Sequence, residues 1–439
     1  MTRQPDIIIF LSDQQRADTM GCYGQKLNVT PNLDKLAKEG TLFENAFSCQ
    51  PVCGPARSCI QTGLYATETG CFKNNIALPQ DVPTIAKELI KKGYQTAYVG
   101  KWHLASTEQD DSYWYSAIPK NKRGGYEYWM ATDVLEYTSD GYAGGYVFDK
   151  DMNKVEFTGY RVDKISEFAL DYLKKHRKDN KPYLLFVSWI EPHQQNNLDI
   201  CQGPDYSKKT FKDFTAPLDL EKGVGNWEEN YPDYLGACHS IDANIGKIVD
   251  YLKEEDKLNN TIILYTSDHA CHFKTRNWEY KRTCHESSIK IPLIAYGKGF
   301  MGGNKSKQLC SLLDIAPTVL KVAGVDILSS MRGYILMDMI GNEDKREELF
   351  VQMSETQVGR AIRTKKWKYS VVAPDVNGNI FSYCDNYTEN HLYDLENDPY
   401  EMNNLVSNEN YYEIRKELRE KLMEYILKIE GKQTKILFG

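Results

Sequence analysis

Four short apolar runs, each ending abruptly in polar residues, constrain the fold of this chain more than any other feature. They are DIIIFLSD (6–13), QTAYVGKWH (95–103), YLLFVSWIEPH (183–193) and TIILYTSDH (261–269). Each is rich in β-branched and aromatic residues and lacks the alternation of a half-exposed strand, so each reads as a strand buried on both faces. Between them lie helices. Tyr234, Cys238, Ile241, Ile245, Ile248 and Leu252 recur at three- and four-residue spacing, the apolar stripe of a helix packed on a sheet. Residues 84–92 form another helix, stopped by Gly93. Strands alternating with helices imply an α/β fold with a doubly wound, mainly parallel sheet. In such a sheet the ligand site lies beyond the carboxyl ends of the strands. That edge receives Asp13, Gln14, Lys101, His103, His193, Asp268 and His269 from four distant segments.

The texture changes after residue 345. RAIRTKKWKYSVV (360–372) reads as one strand with alternating faces, and Ile414, Leu418, Leu422, Tyr425 and Ile429 mark the buried face of a final helix. The expected division is an α/β domain over 1–345 and a C-terminal subdomain over 346–439. No internal repeat or low-complexity segment interrupts either part.

A net charge of -7 over 439 residues argues against nucleic-acid binding, which needs a basic surface. Any anionic substrate must then be met by local cations. Eleven cysteines, an odd number at irregular spacing, form neither a disulfide framework nor a zinc motif and read mostly as reduced, buried thiols. The longest apolar runs are too short to span a bilayer. The N-terminal run leads straight into a strand rather than a cleavage site, so the expected compartment is the cytoplasm, or the periplasm or exterior if a leader has been removed.

The stretch CGPARSCIQTG, Cys53 to Gly63, carries the chemistry. A cysteine followed by Gly-Pro and a helix-forming run stands near a helix N-terminus, where amide dipoles favour an anion. Arg57, one turn on, adds a planar cationic fork able to hold an anionic oxygen. Cys-x-Pro alone could be a turn with a buried thiol. The full pattern through Thr62-Gly63 resembles the signature of the type I sulfatases, of the alkaline phosphatase-like superfamily, with cysteine in the first position. That resemblance implies that Cys53 is oxidised to formylglycine by a sulfatase-maturating enzyme, and that its hydrated aldehyde attacks the sulfur of a sulfate ester. It also implies that a second hydroxyl of the hydrate then expels sulfate by losing its proton. For the two parts of the chain it implies a catalytic role for 1–345, and a small antiparallel sheet with a helix for 346–439.

Further residues match the family in order. Gly100-Lys101-Trp102-His103 is similar to its Gly-Lys-Trp-His element, which implies that Lys101 binds a sulfate oxygen and His103 is the base of the second step. Glu191-Pro192-His193 makes His193 the candidate general acid. YKRTCHESSIKIPL (280–293) places Lys281 where a lysine bridges sulfate and leaving oxygen. Asp13, Asp268 and His269 suit a hard divalent ion. The resemblance implies calcium, with Asp13, Gln14, position 53, Asp268 and His269 around it. Gln14 departs from the second aspartate of many sulfatases and matches choline-sulfatase-like and phosphonate-monoester-hydrolase-like branches. The missing negative charge weakens calcium binding or admits manganese or magnesium.

Beside this set, His272, Lys274, Arg276 and Arg282 form a cationic run that reads either as a contact for an anionic sugar or as a solvated loop. His285 reads either as a substrate contact or as a packing histidine. The aromatic segment from Tyr113 to Tyr146 reads as a loop over the site, able to stack on sugar rings. The function expected is a bacterial sulfuric ester hydrolase acting on a sulfated carbohydrate, with no nucleic-acid or membrane partner and no sign of an oligomeric state. The alternatives are a phosphonate monoester or phosphodiester hydrolase of the same superfamily, and a silent sulfoglycan-binding protein.

Overall fold

The computed structural model describes residues 3–108, 112–176, 181–342 and 345–438. All four apolar runs are strands of one large sheet. In chain order its strands are β1 (Asp6–Asp13), β2 (Thr41–Phe47), β3 (Gln95–Lys101), β4 (Tyr128–Thr132), β5 (Ser139–Asp140), β6 (Gly144–Asp149), β7 (Lys154–Phe157), β8 (Tyr183–Pro192), β9 (Thr261–Ser267), β10 (Lys290–Ile291), β11 (Leu293–Tyr296) and β12 (Asn304–Ser311). The path runs β10-β2-β11-β9-β1-β8-β3-β4-β6-β5. Its centre, β9-β1-β8-β3-β4, is parallel throughout, and antiparallel strands flank it.

The pleat of β1 explains why its sequence shows no polar face. Ile7, Ile9 and Leu11 enter one core with Ile60, Leu89 and Val319, from the helices Cys53–Thr62, Ile85–Lys91 and Ile315–Val322. Ile8 and Phe10 enter the opposite core with Leu33, Ile165 and Ile241, from the helices Pro31–Glu39, Arg161–His176 and Trp227–Glu254. Each such aliphatic side chain contributes about 1.5–3 kcal/mol by leaving water. Helices therefore cover both faces, and polar function is confined to the strand ends. The Ile85–Lys91 helix is capped by Thr84, whose hydroxyl accepts from Lys87 N at 3.2 Å, and is followed by Gly93 at φ 90°.

The C-terminal part carries a second sheet, β13 (Glu348–Met353), β14 (Val358–Thr364), β15 (Trp367–Ala373), β16 (Asn386–Asp394) and β17 (Lys435–Leu437), antiparallel except for β16 with β17. RAIRTKKWKYSVV is thus a hairpin and not one strand. Thr364 makes the turn, its hydroxyl accepting from Trp367 N at 2.8 Å. The final helix, Tyr412–Glu430, buries Leu418, Leu422, Ile426 and Ile429, while Ile414 and Tyr425 are only half-buried. Phe350, Ile362, Leu392 and Leu422 join the same core as Ile7 and Ile60, so apolar packing runs without a break between the two sheets. All eleven cysteines are free and most are buried. No helix among the described residues is long and apolar enough to cross a membrane.

One glycine ties the sheet to the chemistry. Gly100 precedes Lys101 at φ 105°, and a Cβ there would lie 1.9 Å from the Ser188 carbonyl oxygen on β8. Gly100→Ala is expected to destabilise the protein by at least about 2 kcal/mol, read as a lowered denaturation midpoint.

Candidate active site

The carboxyl ends of β1, β3, β8 and β9 converge on the first turn of the Cys53–Thr62 helix. Cys53 is its first residue, and Asn74 Oδ1 accepts the free Gly54 N–H at 2.9 Å. The Cys53 Sγ lies 3.0 Å from Lys281 Nζ, 3.3 Å from His269 Nε2, 3.6 Å from Asp13 Oδ1 and 3.9 Å from Lys101 Nζ. Burial alone would raise the pKa of this thiol. The cations Lys101 and Lys281, with His269 and His103, hold it instead well below its ordinary value. The site therefore favours an anionic oxygen or sulfur at the position of Sγ.

Buried charge is balanced behind that atom. Asp13 accepts from Lys101 Nζ at 2.8 Å and from an Arg57 guanidinium nitrogen at 3.0 Å. Burial and Cys53 would raise its pKa, but Lys101, His193 and Arg57 hold it below the usual carboxylate range. Arg57 also approaches Asp268 at 3.2 Å and donates to the Lys101 carbonyl and to Ser188 Oγ. Lys101 completes its shell with Glu136 Oε1 at 3.0 Å. Lys281 Nζ lies 3.0 Å from the Nε2 atoms of both His193 and His269. Of these groups Cys53, Glu136, His193 and Lys281 line a polar cavity of about 180 Å³, whose walls also include Asn74, Asn75, His103, Gln194 and Arg282.

Four potential ligand atoms, one each from Asp13, Cys53, Asp268 and His269, lie within 4.8 Å of one another. Gln14 Oε1 is buried without a hydrogen-bond partner among the described residues, whereas Asp268 Oδ2 faces Arg57 Nε at 3.2 Å. An unpaired acceptor oxygen beside buried carboxylates is the donor chemistry that a hard cation takes. Gln14 is held there at φ 68°, its amide N–H donating to Gln194 Oε1 at 2.6 Å. The residues present thus fit a hard divalent ion.

Comparison with known proteins agrees with this geometry. The family model described as Sulfatase matches residues 5–325, and that described as N-sulphoglucosamine sulphohydrolase, C-terminal, matches residues 275–428. This chain belongs to the sulfatase family. It is 29% identical to an N-acetylglucosamine-6-O-sulfatase of Bacteroides thetaiotaomicron, over 96% of this chain and 86% of that protein. It is 31% identical to an ulvan-active sulfatase of Formosa agariphila, over 95% of this chain and 80% of that protein. A solved structure of a protein in complex with its substrate D-glucosamine-2-N,6-O-disulfate aligns with TM-score 0.78 and 25% identity, covering 98% and 99% of the two chains. The protein is accordingly a sulfatase, a hydrolase of sulfate esters, with the alkaline phosphatase-like fold expected of it.

Within the sulfatase, Asp13, Gln14, Cys53, Arg57, Lys101, His103, His193, Asp268, His269 and Lys281 come together as one buried cluster or its immediate wall. Arg57 does not line the cavity, because its nitrogens are engaged by Asp13, Asp268, Ser188 and the Lys101 carbonyl. It orders the two carboxylates.

The outer cations are placed differently from expectation. His272 is fully buried, its Nε2 3.2 Å from the Lys281 carbonyl, and its pKa is pushed down to about 3 by burial. Arg276 donates to the carbonyls of Tyr400 and Glu401, and His285 packs against Tyr393 and His391, so both belong to a separate cleft on the second sheet. Lys274 pairs with Asp199 at 2.5 Å. Only Arg282 reaches the Cys53 cavity, and it arrives paired with Glu355 and Glu279.

The aromatic segment also divides. Tyr126 and Trp129 are core residues packed on Tyr98 and Trp102, whereas Tyr137 stands on the cavity wall, stacked on Tyr115 and edge-on to Trp114. Glu136, Asn74 and Asn75 line the cavity without having been singled out by sequence, since no spacing links them to the strand ends.

The neutral burial of His272 predicts a pH effect. Its folded pKa lies below the ordinary histidine value of 6.5, so the unfolded chain binds the extra proton first and stability is lost as pH falls from about 6.5 toward 3. His272→Gln is expected to flatten the stability slope in that window relative to wild type, measured by denaturant unfolding at stepped pH.

Proposed function

We propose that this sulfatase frees inorganic sulfate from a sulfated sugar, with formylglycine at position 53 and one divalent cation, calcium first and manganese or magnesium as alternatives. The observation that carries the reading is Cys53 Sγ 3.0 Å from Lys281 at the floor of a polar cavity, beside the unpaired Gln14 Oε1 and the clustered ligand atoms of Asp13, Asp268 and His269. The carbohydrate class is supported by the relatives, whose names specify N-acetylglucosamine-6-O-sulfate and glucosamine disulfate chemistry.

When formed, the formylglycine hydrate supplies an oxygen nucleophile for sulfur. Asp13, Gln14, Asp268 and His269 would hold the cation, whose charge would polarise the sulfate oxygens. The protein's own residues do the rest. Lys101 and Lys281 offset negative charge on the sulfuryl oxygens in a largely buried site, where each charge counts for more than in bulk water. His193 Nδ1 faces the Gln194 carbonyl oxygen at 2.6 Å, so Nδ1 carries the proton and Nε2 accepts from Lys281 Nζ. The proton for the departing alcohol is therefore held by the Lys281–His193 pair rather than by the ring alone. His103, with Nδ1 unpaired, stands on the cavity wall as the proton acceptor for the step that frees sulfate.

The test is sulfate release from N-acetylglucosamine 6-sulfate and from 4-nitrophenyl sulfate by protein co-expressed with a cysteine-type maturase. Release that depends on the maturase is expected. A higher kcat/KM for a matched aryl phosphonate ester would contradict the reading.

Removal of divalent ions by chelation is expected to lower kcat/KM about 100-fold and to lower the melting midpoint, because a ligand bound only by the native state adds about 2.7 kcal/mol at a hundred times its Kd. Restoring calcium, manganese or magnesium one at a time identifies the preferred ion. An unchanged midpoint and rate after chelation would remove the cation from the account.

A further inference from the structure

Glu136 is an acid in a cavity that receives an anion. Its carboxylate is 5% exposed and lines the same cavity as Cys53, His103 and His193. Oε1 accepts from Lys101 Nζ at 3.0 Å and from Asn196 Nδ2 at 3.5 Å. Oε2 is buried and has no hydrogen-bond partner among the described residues. Burial would raise the pKa of this group, but Lys101, His193 and His103 lower it, so the carboxylate stays ionised. Holding Lys101 requires only Oε1, and Asp13 already grips the same ammonium at 2.8 Å. The second oxygen is left as a strong acceptor with no partner among the described residues and almost no accessible surface, a state that rewards any ligand whose donor the carboxylate can turn to meet.

The neighbouring residues indicate what kind of donor. The Glu136 main chain is held by Gln195 Nε2, which donates to its carbonyl at 2.9 Å. Tyr137, next in sequence, is 40% exposed on the cavity wall, and its ring stacks on Tyr115 at 5.8 Å and meets Trp114 edge-on at 5.4 Å. A flat apolar face beside a lone acceptor suits a sugar ring carrying a hydroxyl and opposes a second sulfate.

We propose that Glu136 is a specificity-determining residue, whose Oε2 accepts a hydrogen bond from a free sugar hydroxyl next to the sulfate ester while Tyr137 covers the ring. The enzyme thereby selects sugars with that hydroxyl free and rejects those sulfated there. This rests on the reading of the protein as a sugar sulfatase.

The experiment compares N-acetylglucosamine 6-sulfate with its 4-deoxy analogue and its 4,6-disulfate on matured wild type, Glu136→Ala and Glu136→Leu, the last preserving volume without an acceptor. For wild type, kcat/KM for the parent sugar is expected to exceed that for the deoxy sugar and the disulfate by at least about 10-fold, as for a buried acceptor left unpaired or set against an anion. Both variants are expected to bring the ratios close to unity, whatever their absolute rates. A residue that merely held Lys101 would lower all rates together and leave the ratios intact, which would overturn the proposal. Equal wild-type rates on all three sugars would overturn it without reference to any variant. Wild type that cleaves 4-nitrophenyl sulfate but none of the sugars would remove the sugar reading, and this inference with it.

Discussion

Cys53→Ala is expected to lower kcat/KM for sulfate release by about 10⁴- to 10⁶-fold, the range seen when a covalent nucleophile is removed and only binding and electrostatics remain. The expectation follows from position. Sγ is the atom on which Lys281, His269, Asp13 and Lys101 converge, and among the described residues no other thiol belongs to the cluster of potential ligands. The fold should survive the change, because alanine is a good helix former and the first turn keeps its Asn74 contact to Gly54 N–H. Circular dichroism and the melting midpoint check this. A Cys53→Ala protein that retained even a hundredth of wild-type turnover would show that the reaction does not pass through this side chain.

Lys281→Ala is expected to lower kcat by about 10³-fold with a smaller effect on KM. One ammonium touches three reacting partners: the Cys53 position, the His193 ring and the His269 ring, each at 3.0 Å. Removing it takes away charge that opposes the developing negative oxygens, a loss of about 2.7–4 kcal/mol for a single oriented donor in a water-excluded site. It also leaves His193 Nε2 without the donor that fixes its role. Separate measurement of kcat and KM on 4-nitrophenyl sulfate distinguishes this from lost binding, since a uniform binding contact would raise KM and leave kcat alone. A variant retaining more than about a tenth of wild-type kcat would contradict the assigned role.

The central strands were legible because burial on both faces leaves them almost wholly apolar, so the ionisable side chains at the end of each run include those at the site. Asp13, Lys101, His193 and Asp268 are read off in this way, and CGPARSCIQTG adds the residue they surround. Glu136 and Asn74 were not legible, because loop residues reach the cavity by tertiary folding that no periodicity records. His272, Arg276 and His285 lie off the Cys53 cavity wall for a different reason. They are neighbours of Asp268 and Lys281 in sequence, but His272 is buried against the Lys281 carbonyl, while Arg276 and His285 meet the Tyr400 and Glu401 carbonyls, Tyr393 and His391. The hairpin in 360–372 was missed because Thr364 turns the chain with its own hydroxyl, without the glycine or proline that usually marks a reversal.

The most direct test of the account is the mass of the Cys53-containing peptide after co-expression with a cysteine-type maturase. The account predicts loss of sulfur and appearance of an aldehyde or its hydrate, together with maturase-dependent sulfate release. A thiol that persists at position 53 while a control sulfatase is converted, in protein that still hydrolyses sulfate esters, would contradict it.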